Sequence, residues 1–325
     1  MPRYDRKATA SGIVADLAPH IKGKVILTTG VSPGGLGAFF VEAVAKAKPS
    51  LLILAARNSA KAGETAAAIE AASPGVRTRV LELDLGSLAA VKEAAATVNA
   101  WDDVPAVDVL VNNAGIMAVD FRLTADGHES HFATNHLAHF LFTNLIIDKL
   151  LAAPAPRVVS VSSDGHRCGA IRWADYDFHN GETYNRWVAY GQSKTANMLF
   201  AQSLATKLGA RGLRACSLHP GVIMTNLGAH VDWENQMGGL PALDQSLGNK
   251  EGWAEFDYKT PDEGAATHVY AAFDPSLEGN NGAYLIDGHV ADPLVDTVKP
   301  WATSAVEAER LWKLSEELVG EKFQY

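Results

Sequence analysis

Cysteine is nearly absent: the chain of 325 residues holds two, Cys168 and Cys216. The first sits in a glycine-flanked loop and the second inside an apolar run. A disulfide framework is therefore not expected, and a reducing compartment is. Positive charge is also scarce. The formal charge is −9 and no Lys/Arg run stands out, so nucleic acid is not expected as a partner. No stretch approaches the ~18 uninterrupted apolar residues that a membrane span needs. The opening MPRYDRKATASGIVADLAPHIKG has no apolar core of signal-peptide type. Repeats, low-complexity segments and linkers are missing too, so nothing divides the chain. What remains is a soluble, cytoplasmic globular protein whose 47% hydrophobic residues suffice for a sizeable core.

What is present is an alternation. After a short amphipathic segment (Ile13–Leu17), Lys24–Thr29 reads as a buried strand. It runs into Gly30-Val-Ser-Pro-Gly-Gly-Leu-Gly37 and then a helical pattern, Ala38–Lys46. Strand, glycine turn and helix together suit a nucleotide: glycines let the backbone approach a pyrophosphate, and the helix N-terminus supplies N–H donors. Strand Leu51–Ala55 ends at Arg57 with no carboxylate beside it. An Arg there accommodates a 2′-phosphate, where an acid would bond a 2′-hydroxyl, which favours NADP (NADPH) over NAD. Helix Ala60–Ala72, strand Arg79–Leu83, helix Leu88–Asn99, strand Val107–Val111, a long helical region Glu129–Leu151 and strand Arg157–Ser162 continue the pattern. Strand Arg214–Leu218, helix Pro261–Phe273, strand Gly282–Ile286 and helix Ser304–Val319 complete it.

Strands alternating with helices imply an α/β fold with a doubly wound, Rossmann-type parallel sheet, as one domain over residues 1–325. Such sheets bind ligands beyond the carboxyl ends of their strands, where Gly30, Arg57, Asp84, Asn113, Ser163 and Pro220 all fall. Two segments depart from the alternation. Residues 225–260 (Trp233, Leu240, Leu243, Trp253, Phe256) form a candidate substrate lid. Asp164–Trp187 carries Trp173, Tyr176, Phe178, Tyr184 and Trp187, readable as packing or as a substrate wall.

The helix read over Val188–Lys207 places Tyr190 and Lys194 four residues apart, on one face. A phenol titrates near pH ~10, too high for acid–base work at neutrality. A fixed ammonium nearby favours the phenolate and is expected to lower that value.

With TGVSPGGLG, LDL at 83–85, NNAG at 112–115, the Asn of ATNHLAHF, VSVSS at 159–163, YGQSK at 190–194 and HPGVIMT at 219–225, the chain resembles the short-chain dehydrogenase/reductase family over residues 20–290. AARN, SSDGH and the wide interval between Ser163 and Tyr190 are similar to its retinol dehydrogenase and WW-domain oxidoreductase branch, including fungal-type reductases.

The resemblance implies that Tyr190 is the acid–base residue, that Lys194 lowers its pKa and bonds the nicotinamide ribose, that Ser163 rather than Ser162 holds the substrate oxygen, and that Asn135 positions a relay water. Gly30, Ser32, Gly35, Leu36 and Gly37 would frame the pyrophosphate. Asp84, Leu85, Asn113, Ala114 and Gly115 would line the adenosine side, and Pro220, Ile223 and Thr225 the nicotinamide. The glycine turn is one residue longer than the family's usual pattern, which leaves Gly34 and Gly35 as competitors for its middle role.

The implied activity is NADP-dependent interconversion of a carbonyl and an alcohol on a moderately large apolar or aromatic small molecule. The alternative is a catalytically silent NADP-binding regulatory or scaffold protein. Pairing through helices, common in the family, allows a homodimer. His128, His131, His136 and His139 would need a shared face and a third ligand to hold a metal; they read as packed or surface groups. Asp175 and Asp177 read as a solvated turn.

Overall fold

The computed structural model describes residues 3–232 and 239–325. In chain order the elements begin α1 (Ala10–Ile21), β1 (Val25–Thr29), α2 (Leu36–Ala45), β2 (Leu51–Ala56), α3 (Ser59–Ala72), β3 (Thr78–Glu82), α4 (Leu88–Asn99) and β4 (Val109–Asn112). A composite helical stretch follows: α5 (Ser130–Phe132), a π-helical turn (Ala133–Leu137), α6 (Ala138–Leu145) and α7 (Ile147–Leu151). Then come β5 (Arg157–Val161), α8 (Arg186–Leu208), β6 (Arg214–His219), α9 (Gly239–Ser246), α10 (Pro261–Phe273), β7 (Tyr284–Ile286), β8 (His289–Val290) and α11 (Ala305–Val319).

The strands form one sheet in the order β3-β2-β1-β4-β5-β6-β7-β8, parallel except for β8. Successive residues of a strand point to opposite faces, and the apolar runs serve both. In β2, Leu51, Ile53 and Ala55 enter one core, with α4, α6, α8 and α11 over it. Leu52, Leu54 and Ala56 enter the other, under α1, α2, α3 and α10. Burial on both faces is why the strands read as continuous apolar runs rather than as alternating ones. From β1 the chain winds outward through β2 and β3, then returns to β4 on the other side of β1. The crevice opens at that reversal.

Three differences from the sequence reading have local causes. The segment at Ile13–Leu17 extends to a full helix, Ala10–Ile21, because Thr9 caps it by accepting from the Gly12 N–H. The region read as one helix over Glu129–Leu151 is interrupted by the π turn. Strand β8 is a two-residue return that only its pairing with β7 defines. Within residues 225–260, the described part contains α9 and short 3₁₀ turns at Asn226–Gly228 and Lys250–Trp253; Trp233 and the side chain of Trp253 lie outside the described residues. No helix among the described residues is long and apolar enough to cross a membrane.

Candidate active site

The glycine turn leaving β1 sets the floor of the crevice. Gly30 adopts φ +74°, and a Cβ on Gly37 would lie 2.5 Å from the Gly30 carbonyl oxygen and 2.6 Å from Asn113 Nδ2. Only a glycine lets the first turn of α2 approach so closely. Asn113 Nδ2 donates to the carbonyls of Thr29 (2.8 Å) and Gly30 (3.2 Å), so its amide braces the turn. Gly35 caps α2 and lines the crevice, while Gly34 takes the left-handed corner at φ +78°.

From this floor a cavity of about 860 Å³ runs over Ser32, Arg57, Asp84, Leu85, Ala114 and Gly115. A second, of about 560 Å³, shares Gly30, Ser32 and Arg57 with it and continues past Leu36, Asn113, Pro220, Ile223 and Thr225 to Ser163, Tyr190 and Lys194. A glycine cradle at a helix N-terminus, with cationic and polar side chains along an elongated crevice, fits a dinucleotide. Lys61, in the first turn of α3, lines both cavities as well. The sequence reading missed it, although its place in the first turn of the helix that Asn58 caps was a usable signal.

Helix α8 starts where Asn185 accepts from the N–H groups of Trp187 and Val188. One turn later stands Tyr190, 6% exposed, lining the same cavity as Ser163. Ser163 Oγ also accepts from the Gly165 N–H at 3.0 Å and donates to Asp164 Oδ1 at 3.3 Å. Ser162 is committed elsewhere, donating to the Lys194 carbonyl at 2.7 Å. Lys194 Nζ donates to the Val161 carbonyl at 3.1 Å and lies 5.5 Å from the Tyr190 ring centroid.

The electrostatics correct one expectation. Burial pushes the Tyr190 phenol above its usual range, with the nearby Ser163 hydroxyl opposing. Burial likewise lowers Lys194 to about 8. With protein groups alone, then, desolvation decides and the phenol stays protonated.

Asn135, fully buried in the π turn, accepts from the Ile116 N–H (2.8 Å) and donates to the Ile116 carbonyl (2.9 Å) and Ser193 Oγ (2.9 Å). Its main-chain carbonyl faces His139 Nδ1 at 3.1 Å, and His139 Nε2 meets Thr29 Oγ1 at 3.0 Å. Since a carbonyl only accepts, Nδ1 carries the proton and Nε2 accepts from the Thr29 hydroxyl. Burial holds this imidazole neutral, with its pKa lowered to about 4. The other histidines of the cluster are spent on hydrogen bonds: His128 with the Leu318 carbonyl, His131 with Glu129 and His136 with Ser315.

Of the aromatic insertion, Trp187 lines the cavity, joined by Met117, Cys168, Leu240 and Phe256. Trp173 packs on the core and donates to Glu307, and Phe178 and Tyr184 pack on each other. Asp175 is not a solvated turn residue: its carboxylate binds Arg172, the Thr183 hydroxyl and the His179 N–H.

Residues 24–177 match the family model described as short chain dehydrogenase. Retinol dehydrogenase 14 of Homo sapiens is 36% identical over 311 residues, covering 92% of this chain and 87% of its own length. Short-chain dehydrogenase/reductase prx1 of Penicillium rubens is 37% identical over 323 residues, 96% of this chain and 90% of that protein. The crystal structure of an uncharacterized protein from Mycobacterium paratuberculosis aligns with a TM-score of 0.71 at 31% identity, covering 96% of this chain and 98% of the other.

Proposed function

The chain belongs to the short-chain dehydrogenase/reductase family of oxidoreductases, and from that premise we propose that it interconverts a carbonyl and an alcohol with NADP, on a moderately large apolar or aromatic substrate. The observation that carries this reading is that Ser163, Tyr190 and Lys194 line one cavity together, with Lys194 Nζ 5.5 Å from the Tyr190 ring centroid.

The bound nicotinamide supplies or accepts the hydride. The chain's own residues do the rest. As a carbonyl is reduced, charge develops on its oxygen, and donors aimed at that oxygen lower the barrier. Tyr190, kept protonated by burial, delivers the proton. Ser163 turns its hydroxyl hydrogen from Asp164 toward the same oxygen. Lys194 stands beneath the phenol ring, where it would hold the cofactor's ribose, and Asn135 would position the relay water. The apolar wall of Met117, Trp187, Leu240 and Phe256 excludes water and selects an apolar or aromatic substituent. Residues 225–260 act as the substrate loop.

Arg57 supports NADP over NAD, and Lys61 adds a second cation on the same side of the crevice. Two buried free thiols, Cys168 and Cys216, support a reducing compartment such as the cytoplasm. The test is Tyr190→Phe. NADPH binding, followed by fluorescence titration, should persist while carbonyl reduction collapses by a factor on the order of 10²–10⁴. Equal turnover in both proteins would reject the mechanism.

A further inference from the structure

The turn after Ser163, Asp164–Cys168, is tied to more of the molecule than a connection requires. His166 Nδ1 donates to the Ser163 carbonyl at 2.7 Å, and Nε2 accepts from the Lys299 N–H at 3.1 Å. Beside it Arg167, 3% exposed, spreads its guanidinium between two carboxylates. Nη1 donates to Asp164 Oδ2 at 2.6 Å; Nε and Nη2 donate to Asp244 at 3.0 and 2.8 Å. Asp244 is 1% exposed and belongs to α9, on the substrate side of the cavity, whose Leu240 lines it. Asn249 closes the group: its Nδ2 donates to the Arg167 carbonyl at 3.2 Å and to Asp244 Oδ1 at 3.0 Å.

We propose that Arg167 is a positioning residue that locks the substrate-side helix α9 to the serine wall, so that Leu240 and Ser163 keep a fixed separation and the width of the substrate cavity is set by one buried guanidinium. Hydrophobic contact alone would hold α9 with little preference for register, because Leu240 and Leu243 can repack. A forked guanidinium between two carboxylates fixes angle as well as distance. A buried ion pair adds little net stability over an apolar replacement, yet removing one partner is costly, and positional specificity is what such a pair can supply. The consequence for selectivity rests on the carbonyl reductase reading above; the lock itself does not.

Two variants and two readouts test it. Asp244→Asn removes the charge, and Asn249→Ala cuts the flanking hydrogen bonds without stranding a buried ion. In both, amide hydrogen exchange over residues 240–249 should rise by roughly tenfold or more while the amides of α8 and β5 hold. KM for acetonaphthone should rise at least about tenfold more than KM for butanone, the difference of roughly 1.4 kcal/mol expected of a misplaced wall. Asp244→Glu should restore part of the protection. Unchanged exchange over 240–249 in both variants overturns the lock, as does exchange rising in parallel across α8 and β5 in Asn249→Ala. If the parent protein reduces no carbonyl, the functional reading fails while the exchange data still decide the lock.

Discussion

Gly165 is the position where a single methyl group should separate chemistry from folding. A Cβ built there would stand 2.9 Å from Tyr190 Cε1 and 3.2 Å from Ser163 Oγ. Carbon–carbon contacts settle at about 3.5–4.0 Å, so phenol and turn must part by roughly 0.6–1 Å. Gly165 is not in the left-handed region, so alanine brings displacement rather than backbone strain. The turn cannot tighten instead, because its Gly165 carbonyl already approaches α8 so closely that a Cβ on Gly191 would lie 2.8 Å from it. Moving the turn moves Ser163, two residues earlier. A misplacement of ~1 Å at reacting groups costs on the order of 10²-fold, or about 2.7 kcal/mol in the barrier. Gly165→Ala should therefore lose kcat/KM for ketone reduction by about 30–100-fold in an NADPH-oxidation assay. Its NADPH affinity, measured by fluorescence, should stay within about threefold, because the methyl meets Tyr190 and Ser163 and not the glycine turn. Parental kcat/KM in a folded Gly165→Ala protein would show that the Ser163–Tyr190 approach does not limit the reaction.

Arg57→Asp should move the ratio of NADP to NAD affinity toward NAD by about 10–100-fold, as expected when a charge-assisted bond to a phosphate is lost; an unchanged ratio removes Arg57 from cofactor selection. Lys194 is lowered by burial from 10.5 to about 8, so the unfolded chain holds the extra proton between those values and stability rises with pH across that window. The unfolding free energy of cofactor-free parent minus that of Lys194→Met should thus climb by roughly 3 kcal/mol across that window in urea titrations, and a flat difference refutes the burial account. Trp312, 3% exposed, anchors α11 with its ring 4.9 Å from that of Phe140. Trp312→Ala should cost about 3–5 kcal/mol in chemical denaturation, and a loss under 1 kcal/mol would mean that α11 docks by other contacts.

The sheet was legible because its strands carry their own signal: apolar runs bounded by glycine and polar residues, buried on both faces. Strand bounds fell within a residue or two of the structure. The rim was legible for the same reason, since strand ends in a doubly wound sheet share one edge, and Gly30, Arg57, Asp84, Asn113, Ser163 and Pro220 are all found lining its two cavities. What stayed hidden depended on distance through space. Arg167 and Asp244 are 77 residues apart, and neither sits in a pattern that announces a partner. The phenol's pKa was misread because sequence displays the ammonium four residues away but not the depth of burial, which raises it. The π turn was invisible in Glu129–Leu151, where almost every side chain is buried and one extra residue leaves no break in the hydrophobic pattern.

That π turn has a consequence for how this chain tolerates change. It is a helix with one residue too many, and the surplus lets Asn135 reach Ile116 while His139, one turn on, reaches Thr29. Excising one position among 133–137 would regularise the backbone ladder and remove the surplus residue that these two contacts depend on. The two reaches could then no longer be met together. Here a regular helix and the two buried contacts are competing ends, so shortening drift at this spot is opposed by the crevice floor even where it favours the backbone ladder.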